Sequence, residues 1–221
     1  MSSLVIFDGD GVLYDTEMLM SALQIEMLQG YGMPITYDDV RPYLGLTGAE
    51  MYRDLEKRFG VALPADFNEQ FVQRYGKLMA QHLPVMPGAL ALLDRLDRPA
   101  CICTNSTRLR FDVTLASTGL DKYFSGRAFC LDDVARGKPA PDLYLHACAH
   151  MMTAPEDALI VEDSIMGIRA GRTAGCRVVG FAGGAHCPPD HDRALIEAGA
   201  ETVCHDMATL GSLLAREGLL L

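Results

Sequence analysis

The chain has 221 residues and a formal net charge of −10, from 19 Lys and Arg against 29 Asp and Glu. That length suits one large α/β domain or a core with a small second domain, and an apolar content of 49% can fill a sizeable core. The acidic balance disfavours nucleic acid and anionic membrane as partners, and it repels phosphate esters unless a cation and local donors reverse the field.

No Lys or Arg precedes Arg41, so neither a secretory nor a mitochondrial leader is expected. No apolar run approaches the roughly 18 residues of a membrane span. Seven Cys with no C-x-x-C pair fit buried thiols in a reducing compartment, so the expected location is cytoplasmic. Nothing in the composition speaks to oligomeric state.

Leu4-Val-Ile-Phe7 is a short apolar run with strand-favouring residues, although so short a run does not exclude helix. It stops at Asp8-Gly9-Asp10-Gly11. Open α/β sheets place their sites just beyond the carboxyl ends of buried strands. Gly9 and Gly11 let backbone approach a ligand, and successive N–H groups there could form an anion nest. Asp8 and Asp10 would share a face of an extended segment, or the loop separates them into different roles. Asp-Gly pairs also make hairpin turns, but Leu19, Leu23, Gln24 and Met27 read as helix, not as a returning strand.

Residues 16–31 read as an amphipathic helix ended by Gly30 and Gly32. Thr36-x-x-Asp39 and, more strictly, Thr47-x-x-Glu50 resemble capping boxes. Helices are expected over 47–59 and 65–82, the second from the spacing of Phe67, Phe71, Tyr75 and Leu78. Nothing from 16 to 83 reads as strand. Residues 83–88, with paired prolines, read as a linker.

Ala89, Leu92, Leu93 and Leu96 then mark a helix face. Strand is expected over 100–103, ending at Thr104-Asn105-Ser106, and helix over 107–118. Another helix is expected over 141–150, with Pro141 suited to its first turn. Residues 158–161 read as a buried strand ending at Glu162-Asp163-Ser164, followed by a helix to Gly175 and a strand over 177–181. The alternation implies a parallel sheet. The expected class is α/β: a Rossmann-like, doubly wound parallel core from 1–15 and 84–221, with an inserted, mobile all-helical cap over 16–83. Residues 183–221 carry less specific signal.

In such a sheet the strand ends lie on one edge. They would gather Asp8 and Asp10, Thr104 and Asn105, Glu162 and Asp163, and Lys138 from Gly137-Lys138-Pro139. Each alone has a structural explanation, as a turn, a helix entry, a solvated charge or an acidic helix start. All four in this order argue for a site.

Four segments carry a resemblance: Asp8-Gly-Asp-Gly-Val-Leu-Tyr-Asp15, Cys103-Thr-Asn-Ser106, Gly137-Lys-Pro-Ala-Pro-Asp142 and Val161-Glu-Asp-Ser-Ile-Met-Gly-Ile-Arg-Ala-Gly171. The chain resembles the haloacid dehalogenase superfamily, in the branch that holds β-phosphoglucomutase and sugar-phosphate phosphatases. The resemblance implies that Asp8 attacks phosphorus and that Asp10 is the acid/base. It implies that Thr104 and Lys138 hold phosphoryl oxygens, with amides near Gly9, Asp10 and Asn105. It implies Mg²⁺ held by Asp8, the Asp10 carbonyl, Glu162 and Asp163. The expected reaction is hydrolysis of a small phosphorylated metabolite, a sugar or polyol phosphate, through an aspartyl-phosphate. A phosphate dianion repels a carboxylate nucleophile, so this chemistry independently needs a hard cation and a lysine.

Asp10 argues against dehalogenase and phosphonate-cleaving chemistry. A mutase remains a rival, but Met20 and Gly48 stand where β-phosphoglucomutase has a His and an Arg. A catalytically weak metabolite-binding protein is the third reading. Substrate choice is expected to lie with residues 44–50 and with Arg41, Arg53 or Lys77. His146, Cys148 and His150 read as a helix face. His186, Cys187 and His191 read as a mixed polar loop rather than a zinc site. Met18, Met20, Met27 and Met33 read as cap packing.

Overall fold

The computed structural model describes residues 2–43, 48–81 and 85–221. Strand β1 (Leu4–Asp8) is buried along its whole length. The chain then leaves for four helices, α1 (Glu17–Gly30), α2 (Tyr37–Val40), α3 (Gly48–Phe59) and α4 (Phe67–Gln81). It returns through α5 (Ala89–Leu93) to β2 (Ala100–Thr104). Helices α6 (Arg108–Thr118) and α7 (Asp121–Phe124) lead to β3 (Ala128–Cys130). Next come α8 (Asp142–His150), β4 (Ala158–Glu162), α9 (Ile165–Ala174) and β5 (Arg177–Phe181). The chain closes with α10 (His191–Ala198), β6 (Val203–Cys204) and α11 (Met207–Arg216).

The six strands are parallel in the order β3-β2-β1-β4-β5-β6. β1 sits between β2, with Asp8 opposite Cys103, and β4, with Phe7 opposite Val161. The winding runs outward from β1 to β3, then restarts at β4 on the other side. The reversal falls beside β1, which is where doubly wound sheets open a crevice for ligands.

Side-chain alternation divides the core. Val5, Phe7, Ile102 and Val161 pack on one face with Leu92, Phe111, Leu210 and Leu214. Leu4, Ile6, Ile160 and Val178 pack on the other with Leu143, Tyr144, Ile168 and Leu195. Helices on both faces explain why the inner strands read as unbroken apolar runs. A third cluster, apart from both, joins Leu23, Met27 and Leu28 of α1 to Leu55 of α3 and to Phe71, Tyr75 and Met79 of α4. It touches the core at α6, where Val113 packs against it and Tyr75 Oη meets Thr114 Oγ1 at 2.8 Å.

The α/β class and the parallel sheet are as expected, and no strand forms from 16 to 81 among the described residues. The Thr36–Asp39 capping box is present. The Thr47–Glu50 box includes residues outside the described ones, as does the start of the 83–88 linker. Two readings change. Helix α5 ends at Leu93, and Leu96 instead bridges to Leu220 near the chain end. Strands β3 and β6, only three and two residues long, are additions to the expected elements. All seven cysteines are unpaired. Among the described residues no helix is long and apolar enough to cross a membrane.

Helix α9 lies very close to the sheet. A Cβ on Gly171 would fall 2.7 Å from Ile160 Cδ1 and 2.8 Å from Val178 Cγ2. Overpacking a filled core costs about 1–3 kcal/mol. Gly171→Val is therefore expected to reduce unfolding free energy by about 2 kcal/mol, read as a lower urea midpoint at unchanged slope. An unchanged midpoint would mean that the helix stands farther off the sheet.

Candidate active site

Three parallel strands end in the residues of interest: Asp8 closes β1, Thr104 closes β2 and Glu162 closes β4. Asp163 follows directly. Lys138 arrives from the loop between β3 and α8, and Asn105 fixes that loop. Asn105 Nδ2 donates to the Lys138 carbonyl at 3.0 Å, and the Lys138 amide donates to Asn105 Oδ1 at 2.8 Å. The fit requires glycine at 137, because a Cβ there would lie 2.7 Å from Asn105 Oδ1.

Lys138 is buried, with its side chain only 3% exposed. Its Nζ donates to Asp8 Oδ1, to Glu162 Oε1 at 2.8 Å and to the Cys103 carbonyl at 3.1 Å. Burial alone would lower its pKa, but the Asp8 and Glu162 carboxylates outweigh it and hold the ammonium well above its usual range. Glu162 also accepts from Tyr144 Oη at 3.2 Å and from the Ser164 amide at 2.8 Å. Burial would raise Glu162, yet Lys138 and Ser164 pull it below the ordinary carboxylate range. Gly167 makes room for it, since a Cβ there would lie 1.5 Å from Glu162 Oε1.

The other carboxylates are under-compensated. Burial pushes Asp8 up to about 7 against the pull of Lys138. Burial, then repulsion from Glu162 and Asp8, drives Asp163 well above its ordinary value. Oxygens of Asp8, Glu162 and Asp163 lie within 4.8 Å of one another. Ionised together, the three carboxylates outnumber Lys138 and the His186 imidazole, 2.9 Å from Asp163 Oδ2, in a buried space. A hard divalent cation, which prefers carboxylate and carbonyl oxygen, matches both the charge and the donors.

Asp10 does not share Asp8's environment. The β1–α1 loop turns at Gly11, with φ of +83°, and the Gly9 carbonyl accepts from the Leu13 amide at 2.9 Å. Asp10 Oδ1 accepts from the Thr16 amide at 2.8 Å, and Oδ2 accepts from the Thr16 hydroxyl. Burial raises its pKa despite those two bonds and the nearby Arg110 charge.

A cavity of about 730 Å³ opens above this edge, between the sheet and the helical block. Asp8, Asp10, Thr104, Asn105, Lys138, Glu162 and Asp163 all line it. Gly9 lies behind the wall, with Tyr14 Oη 2.2 Å from where its Cβ would be. From the helical block, Arg41 and Gly48 reach the cavity. Arg53 lines a separate shallow recess, and Lys77 lines neither.

Several cavity residues carry no signal in the sequence motifs. His186 Nε2 lies 2.9 Å from Asp163 Oδ2, and His191 Nε2 lies 2.6 Å from the Asp163 carbonyl. Burial works against charge on His186, but Cys187, Glu17 and Asp15 outweigh it and raise its pKa to about 9. The polar-loop reading of this stretch captures its form and misses that it folds over Asp163. Glu17 opens α1, and burial with Asp10 pushes its pKa to about 8. Arg110, in the helix expected over 107–118, also lines the cavity. His146 and His150 flank Phe129 at ring distances of 5.3 and 5.0 Å, so they belong to packing.

Comparison with known proteins agrees with this geometry. Residues 5–181 match the haloacid dehalogenase-like hydrolase family. The chain is 29% identical to a 6-phosphogluconate phosphatase of Escherichia coli, over 91% of this chain and 90% of that one. It is 30% identical to a phosphorylated carbohydrates phosphatase of Thermotoga maritima, over 89% and 91% of the two chains. A solved haloacid dehalogenase family hydrolase from Deinococcus radiodurans, with bound phosphate and sodium, superposes with a TM-score of 0.79 at 30% identity, over 99% of this chain and 97% of that one. The strand-end site and these matches place the chain among the haloacid dehalogenase-like hydrolases.

Proposed function

We propose that this hydrolase is a Mg²⁺-dependent phosphatase of small sugar or polyol phosphates, working in the cytoplasm through an aspartyl-phosphate. The observation that carries the reading is the buried ammonium of Lys138 held between Asp8 and Glu162, with Asp163 alongside and all facing one cavity. Asp8 is the nucleophile. Lys138 and the Thr104 hydroxyl hold the phosphoryl oxygens, with amides near Gly9, Asp10 and Asn105. Asp8, the Asp10 carbonyl, Glu162 and Asp163 would hold the cation. When bound, it offsets the charge between the substrate and the Asp8 carboxylate. Both Glu162 oxygens already accept protein donors, so its part is charge close to the cation, direct or through water.

Asp10 serves as acid and base. Its raised pKa suits protonation of a leaving alkoxide and the later activation of water. Thr16 holds its carboxylate while Lys138 holds that of Asp8, and both face one cavity. The helical block over 16–83 is read as a cap on a core of 1–15 and 84–221. Its own apolar cluster and the cavity at the seam support a body that can shift as a unit.

Hydrolysis is favoured over mutase chemistry by what faces the cavity. Met20 offers a thioether that cannot carry a proton, and Gly48 offers no side chain. A mutase must rebind an intermediate and hold water away; a phosphatase need not. The two phosphatase relatives support the same choice. Unpaired cysteines and an acidic surface accord with a cytoplasmic enzyme of small metabolites.

EDTA is expected to abolish turnover of p-nitrophenyl phosphate, and Mg²⁺ to restore it; an unchanged rate in metal-free buffer contradicts the reading. Asp8→Asn is expected to lose about a thousandfold or more in kcat while the circular dichroism spectrum is kept, as for a nucleophile acting in a cooperative site. Supplied with β-glucose 1-phosphate, catalytic β-glucose 1,6-bisphosphate and Mg²⁺, the enzyme is expected to release phosphate without net glucose 6-phosphate. Faster formation of glucose 6-phosphate than of free phosphate would favour the mutase.

A further inference from the structure

One cavity residue has no part in that scheme. Arg110 lies in the first turn of α6, just past the Thr104-Asn105-Ser106 strand end, and its side chain folds back into the cavity. Nε and Nη2 reach Ser106 Oγ at 3.2 and 2.6 Å, and Nη1 lies 3.0 Å from Met20 Sδ on α1. The guanidinium thus spans the seam between sheet and cap. Ser106 Oγ also accepts from the Thr104 hydroxyl at 3.2 Å, so two hydrogen bonds separate Arg110 from the phosphoryl-binding threonine.

Among the described residues no carboxylate oxygen pairs with it within 4.0 Å; Asp10 and Glu17, which share the cavity wall, are the acidic groups that feel its charge. Arg110 is half-buried. One of its donors faces a thioether, a weak acceptor, in place of an anion. Burial raises the pKa of both Glu17 and Asp10, which weakens them as counter-charges. Lys138, bonded to Asp8 and Glu162, is in that scheme given to the hydrolysed phosphoryl group. A partly desolvated guanidinium with free donors recognises carboxylate or phosphate through charge-assisted, often paired hydrogen bonds.

We propose that Arg110 forms a second anion subsite, so that preferred substrates carry a carboxylate or second phosphate besides the phosphoryl group that is hydrolysed. This rests on the phosphatase reading for its substrate class. It places the grip for the far anion on the core helix after β2, not on the cap at residue 48. The acidic chain as a whole would repel such a polyanion, and Arg110 reverses the field where the far end of the substrate lies.

The test uses ester pairs that differ by one charge: gluconate 6-phosphate against glucitol 6-phosphate, and 3-phosphoglycerate against glycerol 3-phosphate. Fructose 1,6-bisphosphate against fructose 6-phosphate reports a second phosphate. Wild-type enzyme with Mg²⁺ is expected to prefer the extra anion in at least one pair by about tenfold or more in kcat/KM. Arg110→Gln should reduce that ratio to near unity, and Arg110→Lys should keep part of it. No preference in any pair overturns the subsite. So does a loss in Arg110→Gln that is equal for both members, which would place Arg110 on the shared phosphoryl site through Ser106. Calorimetric titration of the same esters into Asp8→Asn reads the subsite without turnover. Tighter binding of the doubly anionic member with no ester hydrolysed by wild type would strike the phosphatase reading and leave the subsite standing. Equal binding of both members would overturn the subsite alone.

Discussion

The site depends on one buried ammonium. Lys138 sits where a carboxylate pair from two different strands would otherwise face each other in low dielectric. Removing one partner of a buried ion pair typically costs about 3–5 kcal/mol, because the remaining charge is left without compensation. Here the ammonium has two carboxylate partners and a backbone carbonyl, so it is fixed in place and in charge state. That arrangement is only partly neutral. Asp163 has His186 as its cationic neighbour, and three carboxylates against Lys138 and His186 still leave excess negative charge that suits a hard cation. A phosphoryl group approaching Asp8 would therefore meet charge already arranged, which is the main contribution a protein makes to phosphoryl transfer.

The sheet makes this convergence possible at low cost in sequence. β1, β2 and β4 are neighbours, and their register brings Asp8, Thr104 and Glu162 to one edge. Glycines then clear the space the charged groups occupy: Gly167 for Glu162, Gly137 for Asn105, and Gly11 for Asp163, whose Oδ2 lies 2.0 Å from where the Gly11 Cβ would be. The close spacing is thus written as absent side chains as much as by the acids and the lysine.

Much of this is legible in the order of the residues. The runs Leu4-Val-Ile-Phe7 and Ala158-Leu-Ile-Val161 are apolar throughout because both faces of the sheet are covered, and each stops at the acids that follow. Short elements are harder to read. β3 and β6 contribute too few residues to show a period, and they are held by pairing with β2 and β5. The different environments of Asp8, held by Lys138, and Asp10, held by Thr16, come from the conformation of the loop, which residue order does not encode. His186 and His191 are illegible for another reason. Their importance comes from the loop after β5 and the start of α10 folding back over Asp163, a contact that local spacing cannot signal. Arg110 is similar: only the packing of α1 against the core reveals that it faces a methionine and a cavity.

If Asp8, held against Lys138, is the nucleophile, it becomes covalently phosphorylated during turnover. Rapid acid quenching during steady hydrolysis of a phosphate monoester, followed by mass spectrometry of the peptides, addresses it directly. One phosphoryl group is expected on the peptide containing residues 4–15, localised to Asp8 and absent when substrate is omitted. A phosphoryl group found on Asp10 or another residue, or none on any peptide when the quench captures bound substrate at saturation, would contradict it.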